Sequence, residues 1–331
     1  MNSNNQANLK PAISGLVSTI IPIYNRPRLL LEAVNSVLNQ SYRPIEIIIV
    51  DDGSSDNTLA VAKQISSTNS EVSVLSINNS GPGLAREHGR QAAKGEFIQY
   101  LDSDDLLEPR KFELQVQQLV SKPECGVSYC IQQFSDIQGH ILDPQWMRSG
   151  QRFDTMFPAM LGGRIWGTPT PLYRACLLNQ AGPWSSLLNE EDWEYDCRIA
   201  SIGVKLDYRP EVLVTVRSHG EIHFGQINHH DTKKLSDKAS AYEAIYRHAL
   251  AANVELSNLE FKKFNRMVFF LARRCAERNL NKDAKRLMQL AKFSAHGFRR
   301  KLEYMLYTTL SYVLGWNRVG KISAKFDKRR S

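Results

Sequence analysis

The sequence has no run of about 18 apolar residues free of charge, the length that a membrane-spanning helix needs. Its first ten residues are polar and contain no apolar segment of the kind that secretory signals carry. Five cysteines are scattered along 331 residues without a CxxC pair, which excludes a zinc site built on paired thiols. We therefore expect a protein of the reduced cytoplasmic compartment.

The composition is that of a folded globular protein. Hydrophobic residues make up 42% and charged residues 23% of the chain, which excludes a disordered or fibrous protein. The formal net charge of +8 is unevenly distributed: residues 231–331 hold 23 Lys and Arg against 9 Asp and Glu, whereas residues 1–230 hold 19 against 25. The N-terminal 230 residues are thus acidic overall, and the C-terminal region is basic.

The first 120 residues alternate between short β-branched runs and helical patterns. Four strands are predicted, at 16–25, 45–50, 72–77 and 97–101. A helix follows each strand after a short connection, which predicts an α/β fold with a mostly parallel sheet flanked by helices. After about residue 235 the pattern predicts helices at 239–252, 259–277, 281–294 and 301–314, which would form a C-terminal helical appendage.

Polar side chains follow three of these strands, at the sheet edge where open α/β folds bind ligands. Asn25 follows the first strand, Asp51-Asp52 the second, and Asp102-x-Asp104 the fourth. Alternate residues of an extended segment face the same side, so Asp102 and Asp104 can face one ligand. Their hard oxygens suit Mg²⁺ or Mn²⁺ under a diphosphate, and a solvated turn before the next helix is the alternative.

The segment Asp51-Asp52-Gly53-Ser54 also allows two interpretations. It is typical of a loop that caps the helix beginning near Thr58. It also suits a carboxylate that accepts hydrogen bonds from a nucleotide base, with glycine allowing close backbone approach. Asn79-x-Gly81 and Ala85-Arg86, about thirty residues later, favour the second interpretation.

Five segments, IIPIYN, VDDGSSDNT, NNSGPGLAREHG, KGEFIQYLDSDD and NEEDWEYDCRIASIG, occur in this order. As a set they resemble the inverting family-2 glycosyltransferases with the GT-A fold, over about residues 16–220. The resemblance implies a metal-dependent enzyme, with Mn²⁺ or Mg²⁺, that moves a sugar from a nucleotide-diphosphate sugar, with UDP favoured, to a hydroxyl. It implies a saccharide, lipid-linked or other hydroxyl acceptor in bacterial surface polysaccharide, oligosaccharide or glycolipid synthesis.

The resemblance also implies roles for individual residues. Those expected at the donor are Pro22, Tyr24 and Asn25 on the base and ribose side, Asp52 on the base with Asp51 beside it, Arg86 on the base or diphosphate, and Asp102 on the ribose or metal. Asp104 is expected to hold the metal, with Asp102 and His219 as further ligands. Glu87 departs from the family, which usually has Asn after Ala-Arg.

The catalytic base is expected in the segment Glu190-Glu191-Asp192-Trp193, which matches the family's Glu-Asp-Trp. Asp192 is assigned the base, since inversion needs a carboxylate that takes the acceptor's proton, and Glu191 a supporting or acceptor-binding role. The alternative is that these acidic residues only open an amphipathic helix. On the expected acceptor side lie Trp166, Thr168 and Trp184, although Trp is also common in cores.

The resemblance places a glycosyltransferase domain at 14–225, with a nucleotide-sugar half at 14–120 and an acceptor half at 121–225. The basic helical region at 226–331 lies outside it. There the apolar stretch around Tyr304 and Trp316 is flanked by Arg299-Arg300-Lys301 and Lys328-Arg329-Arg330. It predicts either a helix on an anionic membrane surface, at the inner face of the cell membrane, or an ordinary packed helix.

Other classes are disfavoured by what the sequence lacks. Nucleic acid is an unlikely partner because no known binding module occurs. A nucleotidyltransferase would need a glycine-rich phosphate loop near the first strand, which IIPIYNRP lacks, and a dinucleotide oxidoreductase would need GxGxxG there. An inactive scaffold with the same fold would have lost a metal or base carboxylate, and both are present.

Overall fold

The computed structural model describes residues 12–218 and 231–327, so His219 and Lys328-Arg329-Arg330 lie outside the described residues. The chain divides into two compact units. Among the described residues, the first unit contains 12–154, 166–184 and 205–218, and the second contains 155–165, 185–204 and 231–327.

The strands all lie in the first unit. They are β1 (Ile13–Ile23), β2 (Ile45–Asp51), β3 (Val72–Ser76), β4 (Gly95–Tyr100), β5 (Leu106–Leu107), β6 (Cys125–Asp136), β7 (Ile141–Asp143), β8 (Leu172–Arg174) and β9 (Lys205–Ser218). The helices of this unit are α1 (Pro27–Leu38), α2 (Thr58–Thr68), α3 (Pro82–Ala92), α4 (Lys111–Ser121) and α5 (Ala175–Ala181).

One sheet joins these strands in the order β3-β2-β1-β4-β8-β6-β9-β5, with β7 paired to β6. The four strands predicted in the first 120 residues run parallel, and Ile20 of β1 lies between Ile48 of β2 and Tyr100 of β4. From β4 onward antiparallel pairs enter at β8, and β6 pairs with β9 in parallel. The carboxyl ends of β1, β2 and β4 are therefore adjacent.

Helices cover both faces of this parallel part because its strands are apolar on both sides. The buried Ile21 and Ile49 face α1, whose Leu30 and Val34 belong to the same core cluster. On the opposite face α3 approaches β1 so closely that a Cβ at Gly89 would lie 2.3 Å from Ile20 Cγ2. The hydrophobic runs that predicted buried parallel strands thus form a two-sided core.

The second unit is helical. It contains α6 (Glu191–Ala200), α7 (Thr232–Ala251), α8 (Leu259–Glu277), α9 (Asn281–Phe293), α10 (Phe298–Leu314), α11 (Trp316–Asp327) and a 3-10 turn at Ala159–Gly162. Trp193 of α6 donates its indole N–H to the Met160 carbonyl at 2.7 Å, and its ring meets Tyr242 and Phe264 edge-on. Within the described residues no helix is long and apolar enough to cross a membrane.

The pattern of predicted helices differs from the structure mainly at the C-terminal end. Helix α8 has the predicted bounds, whereas α7 begins seven residues before the predicted 239 and α10 begins three residues before the predicted 301. Helix α11 and the short α5 were not predicted. Gly320 lies within α11, where a Cβ would be 2.4 Å from the Glu277 backbone nitrogen. A glycine that weakens helix propensity is thus needed for the close approach of α11 to α8.

Candidate active site

The loops after β1 and β2 are joined by Asn25. Its backbone has a φ of 53°, its side-chain Oδ1 accepts the Ser55 backbone N–H at 2.8 Å, and its own N–H donates to Ser54 Oγ at 3.0 Å. Asparagine tolerates this left-handed conformation better than most residues. Tyr24 beside it is 45% exposed, whereas Pro22 is buried within β1. The structure therefore places Tyr24 and Asn25, but not the Pro22 side chain, on an open surface.

Both carboxylates after β2 hold neighbouring loops. The buried Asp52 accepts the backbone N–H groups of Ser80 and Gly81, at 2.7 and 2.9 Å. Burial raises the pKa of Asp52, and these two donors oppose that shift. Asp51 accepts the Ser76 hydroxyl at 3.2 Å. The two residues expected beside the base thus fix the loop that leads into α3.

Gly53 lets these two loops meet. Its φ is 72°, and a Cβ at this position would lie 2.7 Å from the Asn79 backbone nitrogen. Any other residue would be strained in conformation and would also clash with backbone. The close backbone approach expected for this glycine is thus made to the 78–81 loop.

Arg86 and Asp102 form an ion pair, and the arginine also lies over a tryptophan ring. The Arg86 guanidinium donates to Asp102 Oδ1 at 2.7 Å and lies over the Trp184 ring, 5.0 Å from its centroid. Glu87 accepts the Trp184 backbone N–H at 3.1 Å, so the residue that departs from the family pattern helps to place this indole. Trp184, expected on the acceptor side, thus packs against Arg86, which was expected at the donor.

The other two residues expected on the acceptor side, Trp166 and Thr168, are also buried. Trp166 is fully buried, with its ring 5.0 Å from that of Tyr129, and Thr168 is buried as well. Neither side chain offers an exposed face to a sugar.

Two arginines missed by the sequence reasoning hold the loop after β4. Arg26 donates to Asp104 Oδ2 at 2.7 Å. The buried Arg217 of β9 donates its backbone N–H to Asp105 Oδ1 at 3.0 Å, contacts the Asp104 carbonyl and pairs with Glu32. Burial, followed by the charges of the neighbouring aspartates, raises the pKa of Asp105 well above its usual range.

These carboxylates fit a divalent cation bound together with a diphosphate. The Asp102 and Asp104 side chains are 32% and 11% exposed, and both present carboxylate oxygens. Among the described residues no group of three His, Cys, Asp or Glu is arranged to hold a metal. Mg²⁺ commonly takes only one or two carboxylates and completes its shell with water and substrate phosphates, which matches this donor set.

The acidic segment before α6 lies in the second unit and does open a helix. Glu190 has a φ of 61° and pairs with Lys238, and α6 begins at Glu191. Asp192 is 27% exposed, and its Oδ2 accepts from Arg164 at 2.5 Å; Glu191 is buried. Arg164 also pairs with the buried Asp196 at 2.9 Å. Arg164 lies 28 residues from Asp192 in the chain, and no local motif marks it.

Comparison with known proteins identifies the fold. Residues 18–174 match the family model described as Glycosyl transferase family 2. The chain carries a family 2 glycosyltransferase domain. The resemblance inferred from the five segments is thereby confirmed.

Two curated relatives illustrate the match. This chain is 33% identical over 211 residues to an uncharacterized glycosyltransferase of Rickettsia typhi, and the match covers 62% of this chain and 65% of the relative. The chain is 40% identical over 111 residues to glycosyltransferase GlyG of Streptococcus pneumoniae, covering 33% and 37%. In both cases the match spans less than two thirds of the relative.

Solved structures confirm the α/β fold of the GT-A type with a helical C-terminal region. TarS of S. aureus aligns with a TM-score of 0.65 and 18% identity, covering 92% of this chain and 55% of TarS, and a shorter TarS chain has been solved with UDP-GlcNAc. The mannosyltransferase PcManGT of Pyrobaculum calidifontis, solved with GDP-Man and Mn²⁺, aligns with a TM-score of 0.51 and 15% identity, covering 94% and 87%.

Proposed function

We propose that this protein is a metal-dependent inverting glycosyltransferase that moves a sugar from a nucleotide-diphosphate sugar to a hydroxyl acceptor. The observation that carries the proposal is the meeting of Asn25, Asp52, Arg86 and the Asp102–Asp104 pair at the carboxyl edge of the parallel strands, within a family 2 domain. This edge is where open α/β sheets bind their ligands.

The donor is proposed to be a UDP-sugar, bound by the loops after β1, β2 and β3. Tyr24 and Asn25 would line the base and ribose, and Asp52 would set the loop from Ser80 that borders them. Arg86, which lies over the Trp184 ring, would contact the base or the diphosphate. The preference for UDP draws on the TarS complex with UDP-GlcNAc, and the PcManGT complex with GDP-Man makes GDP the competing nucleotide.

Asp104 and Asp102 are proposed to hold Mn²⁺ or Mg²⁺, with His219 as a third ligand. Such a cation would neutralise charge on the departing nucleoside diphosphate. Asp104 would have to exchange Arg26 for the cation, and the released guanidinium could then meet a phosphate. Arg217 would hold the Asp104–Asp105 backbone in place during this exchange.

Asp192 is proposed to be the base that takes the proton of the acceptor hydroxyl. It is the more exposed of the two candidate carboxylates, and Arg164 holds one of its oxygens. Glu191, buried at the first turn of α6, would support that turn. The proposed acceptor is a saccharide, a lipid-linked sugar or another hydroxyl compound, used in the cytoplasm in surface-glycan synthesis.

The proposal is tested by nucleotide binding and by transfer. Thermal-shift measurements with UDP, GDP, dTDP and CDP, each with and without Mn²⁺, are expected to show stabilisation by one nucleotide that increases with metal. The Asp192→Asn variant should bind that nucleotide normally and lose transfer by at least about a hundredfold. Asp154→Asn, which changes an exposed aspartate of the first unit, is the matched control and should keep full activity.

Two outcomes would overturn the proposal. Stabilisation by no nucleotide would leave a family fold that does not bind donors, as in an inactive scaffold. Full transfer by Asp192→Asn would remove Asp192 from the mechanism.

A further inference from the structure

Helix α10 is apolar on the side that faces away from its protein neighbours. Its exposed large apolar residues are Phe298, Leu302, Met305, Leu306, Leu310, Tyr312, Val313 and Leu314. Phe298 is 83% and Val313 75% exposed. Since a helix turns by about 100° per residue, most of them lie on one side, opposite the buried Tyr304 and Ser311. We call these eight side chains the outer face of α10.

The inner side of α10 is sufficient to attach the helix to its unit. The Tyr304 ring stacks on Phe269 with centroids 4.2 Å apart, and its hydroxyl donates to Asn265 Oδ1 at 3.0 Å. Tyr307 meets Phe269 edge-on at 5.6 Å. The outer face is therefore not needed for this packing, and a helix that is apolar on both sides normally has both sides covered.

The segment that contains α10 is strongly basic. Between residues 281 and 325 the chain has ten Lys and Arg against two acidic residues, Asp283 and Glu303. The exposed basic residues of this segment are Lys282, Lys285, Lys292, Arg299, Lys301, Arg318, Lys321 and Lys325. Lys285 Nζ lies 5.7 Å from the centre of the Tyr312 ring, so charge reaches the edge of the face itself.

We propose that the outer face of α10 lies on the surface of an anionic lipid bilayer. Leucine, methionine and valine side chains would enter the boundary between headgroups and acyl chains, while the long basic side chains would reach lipid phosphates. Each basic residue near such a surface adds attraction. A face-to-face pair of chains would instead bring two strongly basic rims together, which disfavours a second copy as the occupant. This surface is independent of the transfer reaction.

The first experiment measures binding of the full chain to vesicles by co-sedimentation. Vesicles of phosphatidylcholine with about 30% phosphatidylglycerol should bind the protein, and vesicles of phosphatidylcholine alone should bind it at least about tenfold more weakly. Binding should weaken as salt is raised, since salt screens exposed charges. Arg299→Gln with Lys301→Gln should lower the partition coefficient by about fivefold for each charge.

A variant of the apolar face separates insertion from simple charge attraction. Leu302→Gln, Leu306→Gln and Val313→Gln together should reduce vesicle binding by at least about tenfold without lowering the melting temperature. Val120→Gln, at a 64% exposed position in the first unit, is the matched control and should bind like the wild type. Undiminished binding by the triple variant would overturn the proposal.

A fluorescent label tests the same face without removing it. In a Cys176→Ser chain, which lacks the exposed cysteine, an environment-sensitive dye on Val313→Cys should shift its emission to shorter wavelength with anionic vesicles. A dye on Val120→Cys should not shift. The absence of a shift at residue 313 would overturn the proposal. It would also be overturned, in favour of a protein partner, if the wild type did not bind vesicles but formed a dimer in sedimentation analysis and the triple variant were a monomer.

Discussion

Arginine residues hold the carboxylates to which chemistry is assigned. Asp104 pairs with Arg26, Asp102 with Arg86, and Asp192 with Arg164. A guanidinium orients a carboxylate through charge-assisted hydrogen bonds, and it also competes with any other cation for the same oxygen. Each arginine therefore affects how easily its carboxylate can bind a metal ion or accept a proton.

Removal of Arg26 should make the metal site easier to fill. The Arg26→Gln variant is expected to bind Mn²⁺ in the absence of nucleotide about three- to tenfold more tightly, because the cation that pairs with Asp104 is gone. Titration of free Mn²⁺ by electron paramagnetic resonance measures this affinity. The control is Arg28→Gln, which changes a nearby arginine of α1 whose side chain is 90% exposed. Weaker Mn²⁺ binding by Arg26→Gln would show that Arg26 supports the site.

Arg164 should act on turnover through the orientation of Asp192. Arg164→Gln is expected to lower kcat by about tenfold or more with little change in the donor KM, since the carboxylate loses its fixed partner. Steady-state kinetics at varied donor concentration separate the two constants. Arg164→Lys should restore part of kcat by supplying a charge, although not the fork that holds Asp196 as well. An unchanged kcat in Arg164→Gln would remove this positioning role.

At the scale of elements, the sequence predicted the four parallel strands and most helices, because their apolar patterns match how they pack, but it did not predict the strands β5 to β8. The β2 run IEIIIV is buried as a central parallel strand, and α8 has the predicted bounds. Helix α11 was missed because its glycine and basic residues resemble a tail, and its contact with α8 depends on residues more than forty positions away. A hydrophobic pattern within a short stretch of sequence predicts a helix or a strand, but not which distant element packs against it.

Helix α4 places a charged residue in the sheet core. Lys111 is fully buried, and its ammonium donates to the side-chain oxygens of Gln99 and Gln115. Burial lowers the pKa of Lys111 to about 8, from an ordinary value of 10.5. Below pH 8 the buried Lys111 side chain is therefore charged, and the cost of burying this charge lowers the free energy of unfolding.

This arrangement predicts a pH dependence of stability. As pH rises from 8 toward 10.5, the folded chain releases the Lys111 proton while the unfolded chain keeps it, so folding becomes more favourable. The free energy of unfolding of the wild type should therefore rise relative to that of Lys111→Met, by at most about 3 kcal/mol. Urea unfolding of both proteins between pH 7 and 10 measures the difference. A difference that stays constant with pH would contradict the lowered pKa.

At the scale of the whole molecule, the sequence placed the candidate residues at one sheet edge but did not reveal what holds them. Asn25, Asp52, Arg86 and the Asp102–Asp104 pair were all found from local motifs. Arg217 contacts Asp104 from 113 residues away, and only the folded sheet shows that contact. The domain bounds of 14–225 stay a prediction, and residues 155–165 and 185–204 pack with the C-terminal helices.

The shared packing predicts that a chain ending at residue 225 will be defective. Trp193 would lose both Tyr242 and Phe264, which lie in α7 and α8. We expect rapid protease cleavage within 185–204 and loss of transfer, measured by limited proteolysis with mass spectrometry and by activity assay. A chain ending at residue 327 is the control and should resist cleavage like the full protein. Equal resistance in the shorter chain would show that α6 is stable without its helical partners.

The division of the chain also has a consequence for synthesis on the ribosome. The four parallel strands β1 to β4 have all been made once residue 100 has emerged, so their pairing can begin early. Trp193 of α6 can be covered by Phe264 only after a further 71 residues have been made. During that interval the apolar side of α6, with Trp193, lacks its partners in α7 and α8, so we expect residues 185–204 to stay exposed until those helices have been made.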